Sequence, residues 1–201
     1  MAYEHAIVLT GGISTGKSTV SNILHNHYGL EIIDADKIAK EVLPLHVNEV
    51  RAIFGERIID EEGKIDRKAL GAIIFNDKAE REKLNAFLHP LIREEIFKRS
   101  QTLEEKKKPY IIDIPLYFES EGYHCKVVVV VYAPIEVQRK RLMIRENFTK
   151  EEEQKRIDAQ ISIEEKKVMA DFLINNSFDR KFLDEEIEKF MKFVRGKYAD
   201  S

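Results

Sequence analysis

At 201 residues, 43% hydrophobic and 34% charged, the chain is long enough to bury the core of one moderate-sized domain with room for an inserted subdomain, and it excludes a disordered or fibrous protein. The formal net charge of −3 gives no basic field that would recommend nucleic acid or an anionic membrane as the main partner. A single cysteine, Cys125, excludes an intramolecular disulfide framework and suits a reducing compartment, where a lone thiol is more often a packed side chain than a nucleophile.

Residues 1–5 carry neither a basic n-region nor an apolar h-region, so no secretory signal is expected, and the longest apolar run, residues 127–133, is far too short to cross a bilayer. A soluble, cytoplasmic protein is the expectation; the oligomeric state stays open. Residues 5–9 form a short apolar run that reads as a buried strand. The following Gly11-Gly12-Ile13-Ser14-Thr15-Gly16-Lys17-Ser18 fits G-x-x-x-x-G-K-[ST] without a gap, and from Thr19 the apolar residues Val20, Ile23 and Leu24 take up helical spacing. Strand, loop and helix thus follow in the order that a phosphate-binding loop requires. Its glycines let successive N–H groups converge on an anion at a helix N-terminus, with Lys17 reaching the β- and γ-phosphates of ATP and Ser18 giving its hydroxyl to Mg²⁺.

Tyr28-Gly29 supplies a stop, and residues 30–33 read as a second strand ending in Asp34-Ala35-Asp36, where open α/β sheets bind their ligands. Residues 37–54 suit a helix that Asp36 can cap and that Pro44 ends or bends. Residues 54–64 look turn-rich, with a small hairpin as one form, and Asp66 is placed to cap a helix over 67–75. From Lys78, apolar Leu84, Leu88, Leu91, Ile92 and Ile96 mark a long amphipathic helix, in which Pro90 predicts a kink or a junction of two helices. The charged residues 104–108 read as a solvated loop.

Residues 109–113 are the third predicted strand, with Asp113 at its C-terminal end, and residues 126–132 the fourth, too continuously apolar for a one-faced sheet. A helix over 135–145 sets Arg141 and Arg145 one turn apart, a spacing that can grip one anion. Thr149 and Glu152 have capping-box spacing, so a charged helix should run toward Ile161, either as a lid or as an ordinary solvated surface. Residues 170–176 are a short fifth strand, and Leu183, Ile187, Phe190, Met191 and Val194 line the last helix. The fold class is therefore α/β: a P-loop kinase core with a five-stranded, mostly parallel sheet flanked by helices, a helical substrate-binding insertion and a small helical lid. Expected boundaries are 1–36, 109–135 and 168–201 for the core, 37–108 for the insertion and 136–167 for the lid.

Phosphoryl transfer needs positioning and charge neutralisation more than covalent chemistry, and each part has a candidate. The loop amides, Lys17 and Mg²⁺ hold the phosphates, Arg141 and Arg145 close over them, Asp36 orients the acceptor hydroxyl and takes its proton, and Asp113 holds a water of the Mg²⁺ shell. Each acid has a plainer use: Asp34 and Asp36 as helix caps, Asp113 as a brace for the loop. His89 reads as a hydrogen-bonded junction residue, and no His or Cys cluster has zinc spacing.

Five segments carry more than a generic loop: Thr10-Gly11-Gly12-Ile13; Ile33-Asp34-Ala35-Asp36 with Ala39-Lys40-Glu41-Val42; Leu84-Asn85-Ala86-Phe87-Leu88-His89-Pro90-Leu91-Ile92-Arg93; Asp113-Ile114-Pro115-Leu116-Tyr117-Phe118-Glu119; and Gln138-Arg139-Lys140-Arg141-Leu142 with Arg145. In order and spacing they resemble the dephospho-CoA kinase family, from the first strand to Asn176. The resemblance implies ATP-dependent phosphorylation of the ribose 3′-hydroxyl of dephospho-CoA, the last step of coenzyme A synthesis, on a core with a helical CoA-binding domain and a lid. It makes Asp36 the base and Arg141 and Arg145 lid arginines, gives residues 11–19 to the nucleotide, and puts Thr10, Asp34, Asp36, His89, Arg93, Leu116 and Phe118 on the acceptor side. Ser14-Thr15 stands where the family commonly has Gly-Ser, Tyr117 where Leu is usual, and Tyr132 and Asn147 where aspartates are frequent. Another small-molecule kinase, or a nucleotide-regulated switch module without an acceptor, are the other readings of the loop.

Overall fold

The structure, a computed structural model, describes residues 3–120, 122–123, 125–146 and 150–199. Its frame is a five-stranded sheet of β1 (Ala6–Gly11), β2 (Ile32–Asp34), β3 (Tyr110–Asp113), β4 (Val128–Tyr132) and β5 (Phe172–Asn175), in the order β2-β3-β1-β4-β5. All four pairings are parallel, as the unbroken apolar runs predict. β1 is buried along its whole length because strands flank it on both edges and helices cover its faces. On one face, Val20 and Leu24 of α1 (Lys17–Tyr28) and Ile187 and Phe190 of α9 (Arg180–Lys197) pack with Ile7, Leu9, Val129 and Ile174. Each such side chain contributes about 1.5–3 kcal/mol on burial, so this seam fixes where β1 ends and the loop begins.

Contacts divide the chain into two compact units, Met1–Asp34 with Arg99–Ser201, and Ala35–Lys98. In the second unit α2 (Ala35–Val42) starts straight after β2, so Asp36 lies inside its first turn instead of capping it. Pro44 sits in a 3-10 turn, Leu43–His46, that separates α2 from α3 (Val47–Phe54): its ring fixes φ at a position whose N–H needs no partner. The turn-rich stretch closes as an antiparallel bridge between Ile59 and Ile65, and Asp66 caps α4 (Arg67–Asn76) by accepting from Lys68 N at 2.9 Å and Ala69 N at 3.0 Å.

α5 (Lys78–Glu104) runs unbroken through Pro90, so no junction of two helices forms there. Leu84, Leu88, Ile92 and Ile96, all buried, recur every four residues on both sides of the proline. One continuous apolar stripe outweighs the single backbone bond that Pro90 removes. After α6 (Ile135–Glu146), α7 (Lys150–Asp158) ends short of Ile161, and a separate α8 (Ile163–Val168) follows, with a complete capping box between Ser162 and Glu165. The cap proposed at Thr149 lies outside the described residues, as does Asn147.

The run 104–108 is not simply solvated. Glu104 accepts from His5 N at 3.0 Å and Tyr110 Oη at 2.9 Å and lies 2.7 Å from His5 Nδ1. Burial by itself would raise its carboxyl, but these hydrogen bonds outweigh burial and hold it below the usual value. A lowered folded-state value gives stability that is complete above the ordinary carboxylate range and lost as pH falls through the folded value. Glu104→Gln is therefore expected to cost about 1–3 kcal/mol at neutral pH, the size of a hydrogen bond to a charged group, with the difference from the parent narrowing in acid; urea denaturation at both pH values measures it.

Candidate active site

Topology carries the C-terminal end of β1 to a switch point: β2 and β3 lie on one side of it, β4 and β5 on the other. Here the chain leaves the sheet at Gly11 and re-enters helix at Lys17. Gly16, at φ 89°, occupies the left-handed region that glycine alone adopts freely, and a Cβ there would drive into Asn176 Nδ2. A Cβ on Gly11 would meet Val131 O and Thr15 Oγ1 at 2.8 Å. Ser14 is also left-handed, at φ 55°, and its buried hydroxyl has no hydrogen-bond partner among the described residues.

Side chains of the loop itself and from across the core hold the loop by its carbonyls. Gly12 O accepts from Thr15 Oγ1 at 2.9 Å. Thr15 O accepts from Asn176 Nδ2 at 2.8 Å and Arg141 Nη1 at 3.3 Å, while Arg141 Nη2 donates to Asn176 O at 2.7 Å. Arg141 is thus anchored to the core, with two of its five N–H donors engaged among the described residues. Burial lowers its pKa from the ordinary value, yet a guanidinium stays charged. Arg145 lies in the last turn of α6, and its side chain is outside the described residues.

Lys17 is held by the carboxylate of Asp113, which is 4% exposed. Burial pushes the Asp113 carboxyl up, Asp34 adds to the rise, and the Lys17 ammonium opposes it. Asp34 and Asp113 are register partners at the ends of β2 and β3. Asp113 therefore braces the loop lysine, which was the plainer of its two predicted uses. Ser18 and Thr19 are exposed in the first turn of α1, and Thr10 Oγ1 donates to Pro115 O at 3.0 Å. Leu116 is exposed, and Phe118 is half-buried with its ring edge-on to Tyr117.

Asp36, His89 and Arg93 belong to the other unit. Asp36 is exposed; His89 and Arg93 stand one turn apart on α5, where burial, then the Arg93 charge, lowers the imidazole pKa. Burial pushes the Cys125 thiol up to about 12, which disfavours the reactive thiolate. Among the described residues no cluster of His, Cys, Asp or Glu is of metal-binding size, and no helix is long and apolar enough to cross a membrane.

Sequence reasoning passed over the segment that touches the other side of the loop. Gln160 Oε1 accepts from Ile13 N at 3.0 Å, and Lys166 Nζ donates to Gly11 O at 3.1 Å. The available signal was Ser162-x-x-Glu165, a capping box that announces α8.

The family model for dephospho-CoA kinase matches residues 5–181. The chain belongs to the dephospho-CoA kinase family. It is 44% identical to a dephospho-CoA kinase of Sulfurimonas denitrificans over 100% of this chain and 99% of that one, and 44% identical to a dephospho-CoA kinase of Wolinella succinogenes over 96% of each. The solved structure of a dephospho-CoA kinase from Campylobacter jejuni superposes with a TM-score of 0.75 at 38% identity, covering 96% of this chain and 98% of that one. The family match takes in the loop, both acids of Asp34-Ala35-Asp36, the residues from Asp113 to Glu119, and α6 to β5.

Proposed function

We infer that the chain transfers the γ-phosphoryl group of ATP to the ribose 3′-hydroxyl of dephospho-CoA, giving coenzyme A and ADP. The observation that carries this reading is the end-to-end match to dephospho-CoA kinases, on a chain whose phosphate loop is braced from several sides. In this reading the loop amides from Gly11 to Thr19 and Lys17 hold the phosphates, and Lys17 leaves Asp113 for them. Arg141 meets the phosphates with the donors left free by Thr15 and Asn176, and Arg145, one turn on, acts with it as the 136–167 segment closes. Asp36 orients the 3′-hydroxyl and accepts its proton, while Thr10, Asp34, His89, Arg93, Leu116 and Phe118 serve the acceptor.

Ser18 offers an exposed hydroxyl and Asp113 a carboxylate, hard oxygen donors that suit Mg²⁺ with several waters retained. That ion, when bound, supplies charge neutralisation on the β- and γ-phosphate oxygens. A cytoplasmic setting goes with the reading, supported by the single cysteine. Purified protein given MgATP should convert dephospho-CoA to CoA and leave shikimate, gluconate and nucleoside monophosphates unphosphorylated. Absence of CoA with robust phosphorylation of another acceptor would replace the substrate while keeping the kinase.

A further inference from the structure

We propose that Lys166, with Glu119 as its counter-charge, is a positioning residue for the phosphate loop: it sets the direction of the Gly11–Gly12 peptide and thereby the affinity for ATP. Lys166 is fully buried, which is unusual for a lysine and demands a paired, hydrogen-bonded ammonium. Its Nζ donates to Gly11 O at 3.1 Å and to Glu119 Oε1 at 2.7 Å. Glu119 Oε1 also accepts from Ile161 N at 3.0 Å, and its other oxygen is buried with no hydrogen-bond partner among the described residues.

The geometry at Gly11 gives this pair a role beyond packing. In a trans peptide the carbonyl of one residue and the N–H of the next point in opposite directions, and no described bond of this chain is cis. Fixing Gly11 O on Lys166 therefore fixes the Gly12 N–H on the opposite side. Gly11 has no side chain to hold it by, and a Cβ there is barred by Val131 O, so the carbonyl is the handle. Asn176 and Arg141 do the same at the other end of the loop by holding Thr15 O, which turns Gly16 N–H away from them. Converging amides are what a phosphate nest needs, and their convergence costs no reorganisation when the carbonyls are already held.

Lys166 is itself kept in place. α8 is capped by Ser162 and Glu165 and tied to β4 by Tyr132 Oη donating to Glu164 Oε1 at 2.6 Å. Through Glu119 the clamp reaches the segment that also supplies Asp113 to Lys17 and Pro115 O to Thr10, so residues 113–119 grip both ends of the loop.

The inference rests on the proposed function only in taking residues 11–19 as the nucleotide site, and its test uses no acceptor. Titrate MgATP by calorimetry into the parent, Lys166→Met, Glu119→Gln and the double variant, with thermal unfolding followed alongside. Lys166→Met should weaken ATP about tenfold to a hundredfold, and Glu119→Gln severalfold, as expected for hydrogen bonds to charged groups. The double variant leaves no buried unpaired charge, so it should regain thermal stability over Lys166→Met without regaining ATP affinity. Parent-like affinity in a folded Lys166→Met or double variant overturns the proposal, as does affinity that returns in step with stability. If both fail to fold, Glu119→Gln decides: unchanged affinity there overturns it equally. A protein that passes these tests but does not phosphorylate dephospho-CoA leaves the clamp standing and refutes the acceptor.

Discussion

Lys17→Met is expected to lower kcat/KM for ATP by about a thousandfold or more, because it removes the loop cation assigned to charge that develops between the β- and γ-phosphates. The substitution also acts on the resting fold. Asp113, 4% exposed, loses the ammonium that opposes the effect of its burial, and breaking a buried pair by removing one partner costs about 3–5 kcal/mol. Loss of activity in Lys17→Met alone would therefore mix catalysis with stability. Lys17→Met/Asp113→Asn separates them: with the buried carboxylate replaced by an amide, unfolding should return toward the parent while turnover stays low. Chemical denaturation and steady-state kinetics on these three proteins and on Asp113→Asn alone measure both quantities, the last giving the share of the loss that belongs to the carboxylate assigned to Mg²⁺. Turnover in the double variant within tenfold of the parent would remove Lys17 from the chemistry and leave it a structural partner of Asp113.

The same contact shows why the loop was legible and its surroundings were not. G-x-x-x-x-G-K-[ST] states a backbone requirement, and Gly16 at φ 89° meets it in the only way an L-residue sequence advertises. The parallel sheet was equally open to reading, since β1 and β4 are apolar at successive positions and must be covered on both faces. Charged residues that serve from inside left no such trace. Lys166 looks like any surface lysine in Glu164-Glu165-Lys166-Lys167, and only the fold removes it from water. Glu104 likewise opens a run of charges yet is consumed by His5 and Tyr110, 99 and six residues away. Pro90 offered a kink or a junction of two helices, and no junction forms: the local rule against proline in helices is correct, but a stripe of buried residues that only packing reveals carries the helix through. At the site, sequence reading found Arg141 and Asp113 as candidates and offered Asp113 as a brace for the loop, without revealing that Arg141 braces Thr15.

Asp36→Asn should lower kcat by about 10²- to 10⁴-fold, the range of a lost general base, while the ATP affinity stays at the parent value. Asparagine keeps the size of the side chain and can still accept a hydrogen bond from a hydroxyl, so orientation survives in part and proton acceptance does not. Because Asp36 is exposed and its helix needs no cap from it, thermal unfolding should hardly move, which separates this variant from a folding defect. Asp34→Asn is the comparison that assigns the role within Asp34-Ala35-Asp36. Asp34 sits in register with Asp113 at the end of β2, so its loss should disturb the electrostatics around Lys17 and show in ATP affinity. If Asp34→Asn lost kcat by that factor and Asp36→Asn kept the parent rate, the base would be the strand residue, and α2 would merely carry an acid in its first turn.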